Sequence, residues 1–579
     1  MPPHRKKPFS SKLKKKQLKE KRASKRDDGH KGPIKKHMYR GLTDSEDNDS
    51  DNSIDVKKVN LQPQTKSDKR YDPNRYRLHF LHETKEELEK RKRRAYEPFS
   101  VLSDTALELD VDTIYQPGTV LDMPKRPTWN FNLSKEKLDD REEKYFKEYL
   151  DGIFDKHSPE ELSYFEVNLE TWRQLWRVLE MSDIVLLITD IRHPALHFSP
   201  ALYNHVTRDL GKHIVLVLNK IDLAPPGLVI AWKHYFRKCY PEIHIICFTS
   251  YPQDFKNSEK EEKDPGKVLH KKRRRGHYVA IGPRQLWQAC DNIVKDQVDL
   301  SSWQDKIELE IAGENVAESE VVQEEDDGDY LQKERYKDGI LTIGCVGYPN
   351  VGKSTLINGL VGKKVVSVSR TPGHTKHFQT IFLTPKVKMC DCPGLVFPSL
   401  VAKPLQILAG IYPVAQVREP YSAVQFLAER IPVIKLLQLT HPEASEQKGA
   451  NIQWSSFDIC DAWAEKRGFL TAKAARNDTY RAANNILRMA LDGRLCLCMR
   501  PPGYSEKIDE WHEHPEAAQV LEWQRAIIGN KSDDIISEGS TTEGSDFGEE
   551  ADNASSESSA SDENNTATTS NPFALLADD

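Results

Sequence analysis

The chain contains no CxxC pair, no apolar run of bilayer length and no apolar core near its start. Each absence excludes a class. Without CxxC pairs, its nine cysteines resemble neither a disulfide framework nor a structural zinc site. Two CxC pairs, Cys390/Cys392 and Cys496/Cys498, read as reduced thiols on one face of strand-like text, short of the four ligands that zinc requires. Without a spanning segment, and with a mean hydropathy of -0.66, the expectation is a soluble protein with no membrane partner. The opening MPPHRKKPFSSKLKKK lacks a secretory pattern, so an intracellular protein is expected.

A length of 579 residues exceeds what one hydrophobic core organises, and charged residues make up 30%. The net charge of -5 hides strong polarity. Residues 1–26 hold twelve Lys or Arg against the single acid Glu20, whereas residues 532–579 hold thirteen acids and no Lys or Arg. The basic arm, residues 1–70, lacks the spacing that buries a helix face and is expected to be disordered. It suits an RNA contact, a nuclear or nucleolar targeting signal, or both. The acidic, Ser-rich tail, residues 511–579, is likewise expected to be disordered and to meet protein partners.

Between them lies an extension, residues 71–157, with a charged helix near 84–95. Ser158-Pro159-Glu160-Glu161 reads as a capping box opening a helix whose apolar face includes Phe165, Leu169, Trp172, Trp176 and Leu179. Short apolar runs from 184, 214 and 243 read as buried parallel strands separated by helices. Residues 252–338 read as an insertion, with basic Lys271 to Arg275 and an acidic stretch from Glu314. Strand text resumes at 341, 365, 378 and 387, and helical spacing takes over from 400 to 510. The expected class is α/β, followed by a helical domain.

Three motifs carry chemistry. Gly347-Tyr348-Pro349-Asn350-Val351-Gly352-Lys353-Ser354, followed by Thr355, fits the phosphate loop GxxxxGK[ST] between a strand and a helix. Its glycines let backbone N–H groups face phosphate, Lys353 reaches the β- and γ-phosphates, and Ser354 suits Mg²⁺. Asp391-Cys392-Pro393-Gly394 matches DxxG, placing Asp391 beside the metal and the Gly394 amide at the γ-phosphate. Between them, Thr375 in TPGHT suits a Mg²⁺ ligand present only with a γ-phosphate. Asn219-Lys220-Ile221-Asp222 ends another strand, and its carboxylate accepts from two guanine donors that adenine lacks. Thr249-Ser250 stands where an amide meets the guanine oxygen. Together these imply GTP or GDP with Mg²⁺.

The order NKID, FTS, GYPNVGKS, PGHT, DCPG resembles the circularly permuted GTPases, a family associated with ribosome assembly, and TDIRHP at 189–194 resembles that family's DARxP-like segment. The resemblance covers about residues 160–400. The tails and helical part are similar to the eukaryotic guanine nucleotide-binding protein-like subgroup. This implies a Ras-like P-loop GTPase sheet in permuted order over residues 158–399, slow GTP hydrolysis, and RNA or a pre-ribosomal particle as partner of the basic segments. Leu395 stands where an ordinary GTPase has the glutamine that orients water. The resemblance therefore also implies a K⁺ ion held by Asn350. Two other readings stay open: a scaffold that binds GTP with negligible hydrolysis, and a signalling protein with protein partners alone.

Overall fold

The computed structural model describes residues 78–81, 83–129, 134–253, 277–312, 323–324, 335–369, 371–373, 375, 377–443, 453–471 and 476–535. The basic arm, the Lys271 to Arg275 cluster and most of the acidic stretch from Glu314 lie outside these residues, as does the tail beyond Ile535.

Eight strands form one sheet: β1 (Ile184–Asp190), β2 (His213–Asn219), β3 (His244–Gln253), β4 (His277–Ile281), β5 (Gln323–Glu324), β6 (Leu341–Val346), β7 (Gln379–Thr384) and β8 (Val387–Asp391). Their spatial order is β4-β3-β2-β1-β6-β8-β7-β5. The inner five, from β3 to β8, run parallel, while β4 and β7 join antiparallel. Every residue of β1 is buried, as the continuous apolar run requires of a central parallel strand covered on both faces. β1 pairs with both β2 and β6, so the centre of the sheet joins text from 184 with text from 341. No helix among the described residues is long and apolar enough to cross a membrane.

Four expectations need revision. The helix read from Ser158 starts at Leu169, with Asn168 accepting from the Glu170 amide. Only half of the capping box forms, the Ser158 amide meeting Glu161 at 3.4 Å. Residues after it run extended instead, because their amides are taken by other backbone: Ser163 N–H by Ser399 O and Glu166 N–H by Val396 O, both at 3.0 Å. The text VVSVS at 365 is a loop, since the Val365 and Val366 amides both donate to Asn358 Oδ1 at 2.8 and 2.9 Å. Within 252–338, β4 supplies an edge strand, and helices Pro283–Val294 and Ser301–Ala312 follow it. Finally, the acidic tail begins too early at 511, because Pro515–Ile535 is a helix that buries Ala517, Val520 and Gln524. Surrounding charges mask those three- and four-residue steps in the sequence.

The charged helix near 84–95 spans Lys85–Arg94 and opens on a capping box between Thr84 and Glu87. After Asp391 the chain passes to helices Lys403–Leu408, Tyr421–Ala428, Ser456–Arg467 and Thr479–Leu491, which pack on one another.

Glu166, in the extended segment, is fully buried. Its Oε1 accepts from the His79 and Asn168 amides, while Oε2 has no partner. Burial pushes its carboxyl up to about 8 against those hydrogen bonds. The native state thus keeps a proton that the unfolded chain has lost by its ordinary value near 4.5. Stability contributed by this group is present at low pH and declines as pH rises toward about 8, by on the order of 4 kcal/mol. Glu166→Gln should flatten denaturation midpoints between pH 5 and 8; an unchanged profile would contradict the assignment.

Candidate functional site: the C-terminal edge of the parallel strands

All the chemical motifs leave from the C-terminal ends of parallel strands, where open α/β sheets place their ligands. Asp190 at the end of β1 lies opposite Asn219 at the end of β2, and Asp391 at the end of β8 lies opposite Cys345 of β6. Gly347 follows β6 directly, and Thr249 and Ser250 follow Phe248, which pairs with Asn219. The pairing of β1 with β6 joins these two halves, which are separated by more than a hundred residues.

The loop from Gly347 to Gly352 is shaped by close approaches. Gly352 has φ of +100°, and a Cβ there would lie 2.4 Å from Asn219 Nδ2. Asn350 also adopts a left-handed φ of 59°. Asn219 Nδ2 donates to Val351 O at 2.8 Å, and Lys220 Nζ donates to Asn350 O at 2.7 Å. NKID and the loop thus brace one another directly. Asn350 Nδ2 donates in turn to Gly410 O at 2.8 Å, just beyond helix Lys403–Leu408.

Lys353 is buried, and its Nζ donates to Gly347 O at 3.0 Å and Tyr348 O at 2.7 Å. Burial lowers its pKa, opposed by the charge of Asp391. Ser354 Oγ donates to Asp391 Oδ2 at 2.8 Å and lies 3.5 Å from Thr375 Oγ1. Asp391 Oδ1 is buried with no partner, and burial pushes the carboxyl up to about 6, against Lys353 and the Ser354 hydrogen bond. Two hydroxyls and a carboxylate with an unsatisfied oxygen form a hard oxygen donor set that fits Mg²⁺.

On the other side, Asp222 Oδ1 accepts from Thr249 Oγ1 at 2.8 Å, and Ser250 Oγ donates to Thr355 O at 3.1 Å. Gln524 donates to the carbonyls of Ile221 and Ala224 at 2.7 and 2.8 Å, holding the chain on both sides of Asp222. Gly394 lies against the phosphate loop, where a Cβ would meet Pro349 Cα at 2.7 Å. Leu395 is wholly buried, and its amide faces Gly347 O at 3.3 Å.

The structure adds residues that motif reading missed. Asp190 is buried and accepts from Arg192 Nε and Nη2 at 3.0 and 2.8 Å, and from Lys220 Nζ at 2.8 Å. Burial alone would raise its carboxyl, but Arg192 and Lys220 hold it well below the usual range. Arg192 Nη1 also donates to Ala490 O at 3.0 Å and Leu491 O at 3.3 Å, closing the end of helix Thr479–Leu491. Arg192 is thus engaged structurally. Its two-residue spacing from Asp190 was the available signal. His193, beside it, is fully buried and held well below its usual value by burial and Arg192.

The DxxG stretch is also more enclosed than its sequence suggests. Residues 391–399 are all buried. Tyr348 Oη lies 2.7 Å from Tyr115 Oη and accepts from the Phe397 amide at 3.3 Å. The Leu400 amide donates to Ile114 O at 3.0 Å. Nothing in the local text of Ile114 or Tyr115 signals a distant loop.

A family model described as "50S ribosome-binding GTPase" matches residues 342–435, the half of the site that begins with β6. The chain is 55% identical to guanine nucleotide-binding protein-like 1 of Mus musculus over 545 residues, covering 89% of each. It is 53% identical to the Homo sapiens protein of that name over 549 residues, covering 90% of each. Large subunit GTPase 1 homolog of Bos taurus is 32% identical over 441 residues, covering 66% of this chain and 67% of that one. Solved structures of YlqF from T. maritima, GDP-bound and GNP-bound, overlap 57% of this chain and 99% and 98% of theirs. Their TM-scores are 0.31 and 0.32, both at 19% identity. The order of motifs along the chain, their meeting at one sheet edge and the similarity to guanine nucleotide-binding protein-like 1 lead to one conclusion: the chain belongs to the guanine nucleotide-binding protein-like family of circularly permuted GTPases.

Proposed function

We propose that the chain is a slow GTP-hydrolysing switch acting in ribosome biogenesis or RNA-protein assembly. The observation that carries the switch is the convergence of Asp222, Lys353 and the Ser354–Thr375–Asp391 group on one strand edge. In this reading Asp222 accepts from guanine, Asn219 and Lys220 hold the phosphate loop, and Thr249 and Ser250 flank the base. Backbone amides of Gly347 to Thr355 face phosphate, and Lys353 exchanges its loop carbonyls for phosphate oxygens. Ser354, Thr375 and Asp391 would hold Mg²⁺, which when bound offsets phosphate charge. The Asn350 amide oxygen has the donor chemistry for K⁺.

Release of the γ-phosphate would free Gly394 from its position beside Pro349. That stretch is bonded to Ser163, Glu166 and Ile114 and leads into helix Lys403–Leu408, so both flanking regions are placed to respond. In domain terms the proposal is a permuted GTPase body over 158–399, flanked by the 71–157 extension and the 400–510 helices. The basic segments would supply salt-dependent RNA affinity, in the nucleus or nucleolus. The ribosome context rests on relatives whose names carry "GTPase" and "Large subunit".

The buried Leu395 favours a second reading, a scaffold that holds GTP without turnover, because leucine cannot orient water. Single-turnover hydrolysis in K⁺ and in Na⁺ separates the two. The switch predicts slow turnover, about tenfold or more faster in K⁺. No turnover in either salt, with or without ribosomal subunits, favours the scaffold. Crosslinking in cells followed by sequencing tests the partner, and RNA at background levels would refute the assembly role.

A further inference from the structure

Cys496 and Cys498 follow helix Thr479–Leu491 and lie against the guanine-reading turn. Their sulfurs are 3.7 Å apart, and both thiols face one acceptor, Leu223 O, at 3.0 Å and 3.5 Å. Leu223 directly follows Asp222 in the single helical turn Ile221–Leu223. The approach is tight, since a Cβ on Gly493 would lie 2.9 Å from Leu223 Cδ2. The other CxC pair, Cys390/Cys392, is fully buried, whereas Cys496 and Cys498 are partly exposed.

The pair is chemically uneven. The hydrogen bond from Cys498 lowers the Cys496 thiol, with Arg192 assisting against burial, and the same bond together with burial raises Cys498 well above its usual value. Thiol-disulfide exchange uses such an arrangement, with one sulfur attacking and its neighbour resolving.

We propose that Cys496 and Cys498 are a reversible oxidation site, and that their disulfide loosens the Asp222 turn and weakens guanine nucleotide binding. The second clause rests on Asp222 being the guanine reader. The Cys496 thiolate attacks one sulfur of a small-molecule disulfide and expels a thiolate. Cys498, on losing its proton, attacks the Cys496 sulfur of the mixed disulfide and expels the second thiolate. Two electrons pass from the cysteine pair to the oxidant, which leaves as two thiols carrying the two protons. Bond formation must bring the sulfurs from 3.7 Å to about 2.05 Å. That contraction draws the sulfurs away from their contacts with Leu223 O and leaves neither an S–H to donate, and the CxC segment must bend away from the turn it supports.

The full chain, treated with glutathione disulfide, alkylated and digested with trypsin, gives a peptide of residues 495–507 that contains both cysteines, because Pro501 blocks cleavage after Arg500. Binding of a fluorescent GDP analogue is measured on the same samples. The expected result is an unalkylated peptide lighter by two hydrogens, GDP affinity reduced about tenfold, and recovery with reductant. Cys496→Ser and Cys498→Ser should each keep, in oxidant, the full GDP affinity of the dithiol form. A fully alkylated peptide, glutathione retained on Cys496 alone, an affinity unmoved by the disulfide, or loss persisting in the serine variants would each overturn the proposal. If the reduced chain binds GDP no better than ADP, the reading of Asp222 fails and takes the gating with it, while the peptide still reports the disulfide.

Discussion

Asp222→Asn should lower GTP affinity at least a hundredfold and raise affinity for xanthosine triphosphate, leaving the fold unchanged. In the proposed reading the carboxylate accepts from both guanine donors, whereas an amide can accept from one while presenting its own N–H to the other, leaving buried donors unpaired. Xanthine carries an oxygen where guanine carries its amino group, so the amide donor finds a partner. Thr249, which donates to Asp222 Oδ1 at 2.8 Å, retains an acceptor in the variant, so local support persists. Equilibrium titration with fluorescent GTP and xanthosine nucleotides checks this. Equal GTP affinity in variant and parent would remove Asp222 from the base site.

Arg192→Ala should destabilise the protein by about 3–5 kcal/mol, the cost of stripping one partner from a buried ion pair. Asp190 would keep only Lys220 as a cationic partner, and the carbonyls of Ala490 and Leu491 would lose their donor. The effect should also reach the nucleotide. Lys220 Nζ is shared between Asp190 Oδ2 and Asn350 O, so excess negative charge on Asp190 draws it from the phosphate loop. Denaturant unfolding and GDP binding measured together test both arms. A loss below about 1 kcal/mol would show that Arg192 is not the strut between β1 and the helices.

The parallel strands and the three motifs were legible in the sequence because their determinants are local. Continuous Val, Ile and Leu runs make buried strands, and glycines at 347 and 352 permit the turns the loop takes. The helix start at Ser158 was misread for the opposite reason: the capping residues are local, but the amides of Ser163 and Glu166 answer to backbone near Ser399 and Val396. The same applies to VVSVS, whose β-branched text loses to two hydrogen bonds from one buried Asn358. At the site, residues inside motifs were found and their supports were not. Arg192, Gln524 and Tyr115 act across 298, 303 and 233 positions of sequence, beyond any spacing rule.

The place of β1 between β2 and β6 has a consequence for how the molecule is made. During synthesis the guanine-reading half emerges first, and β1 can pair with β2 at once. Its other edge stays open until Leu341 begins β6, a wait of roughly 8–30 s at ordinary elongation rates. For that interval a mainly apolar strand offers unpaired backbone to any neighbouring nascent chain. An unpermuted order would translate the phosphate loop's strand at the outset. The permuted chain instead leaves its central seam open until β6 is made, and chaperone demand should peak between those two moments of translation.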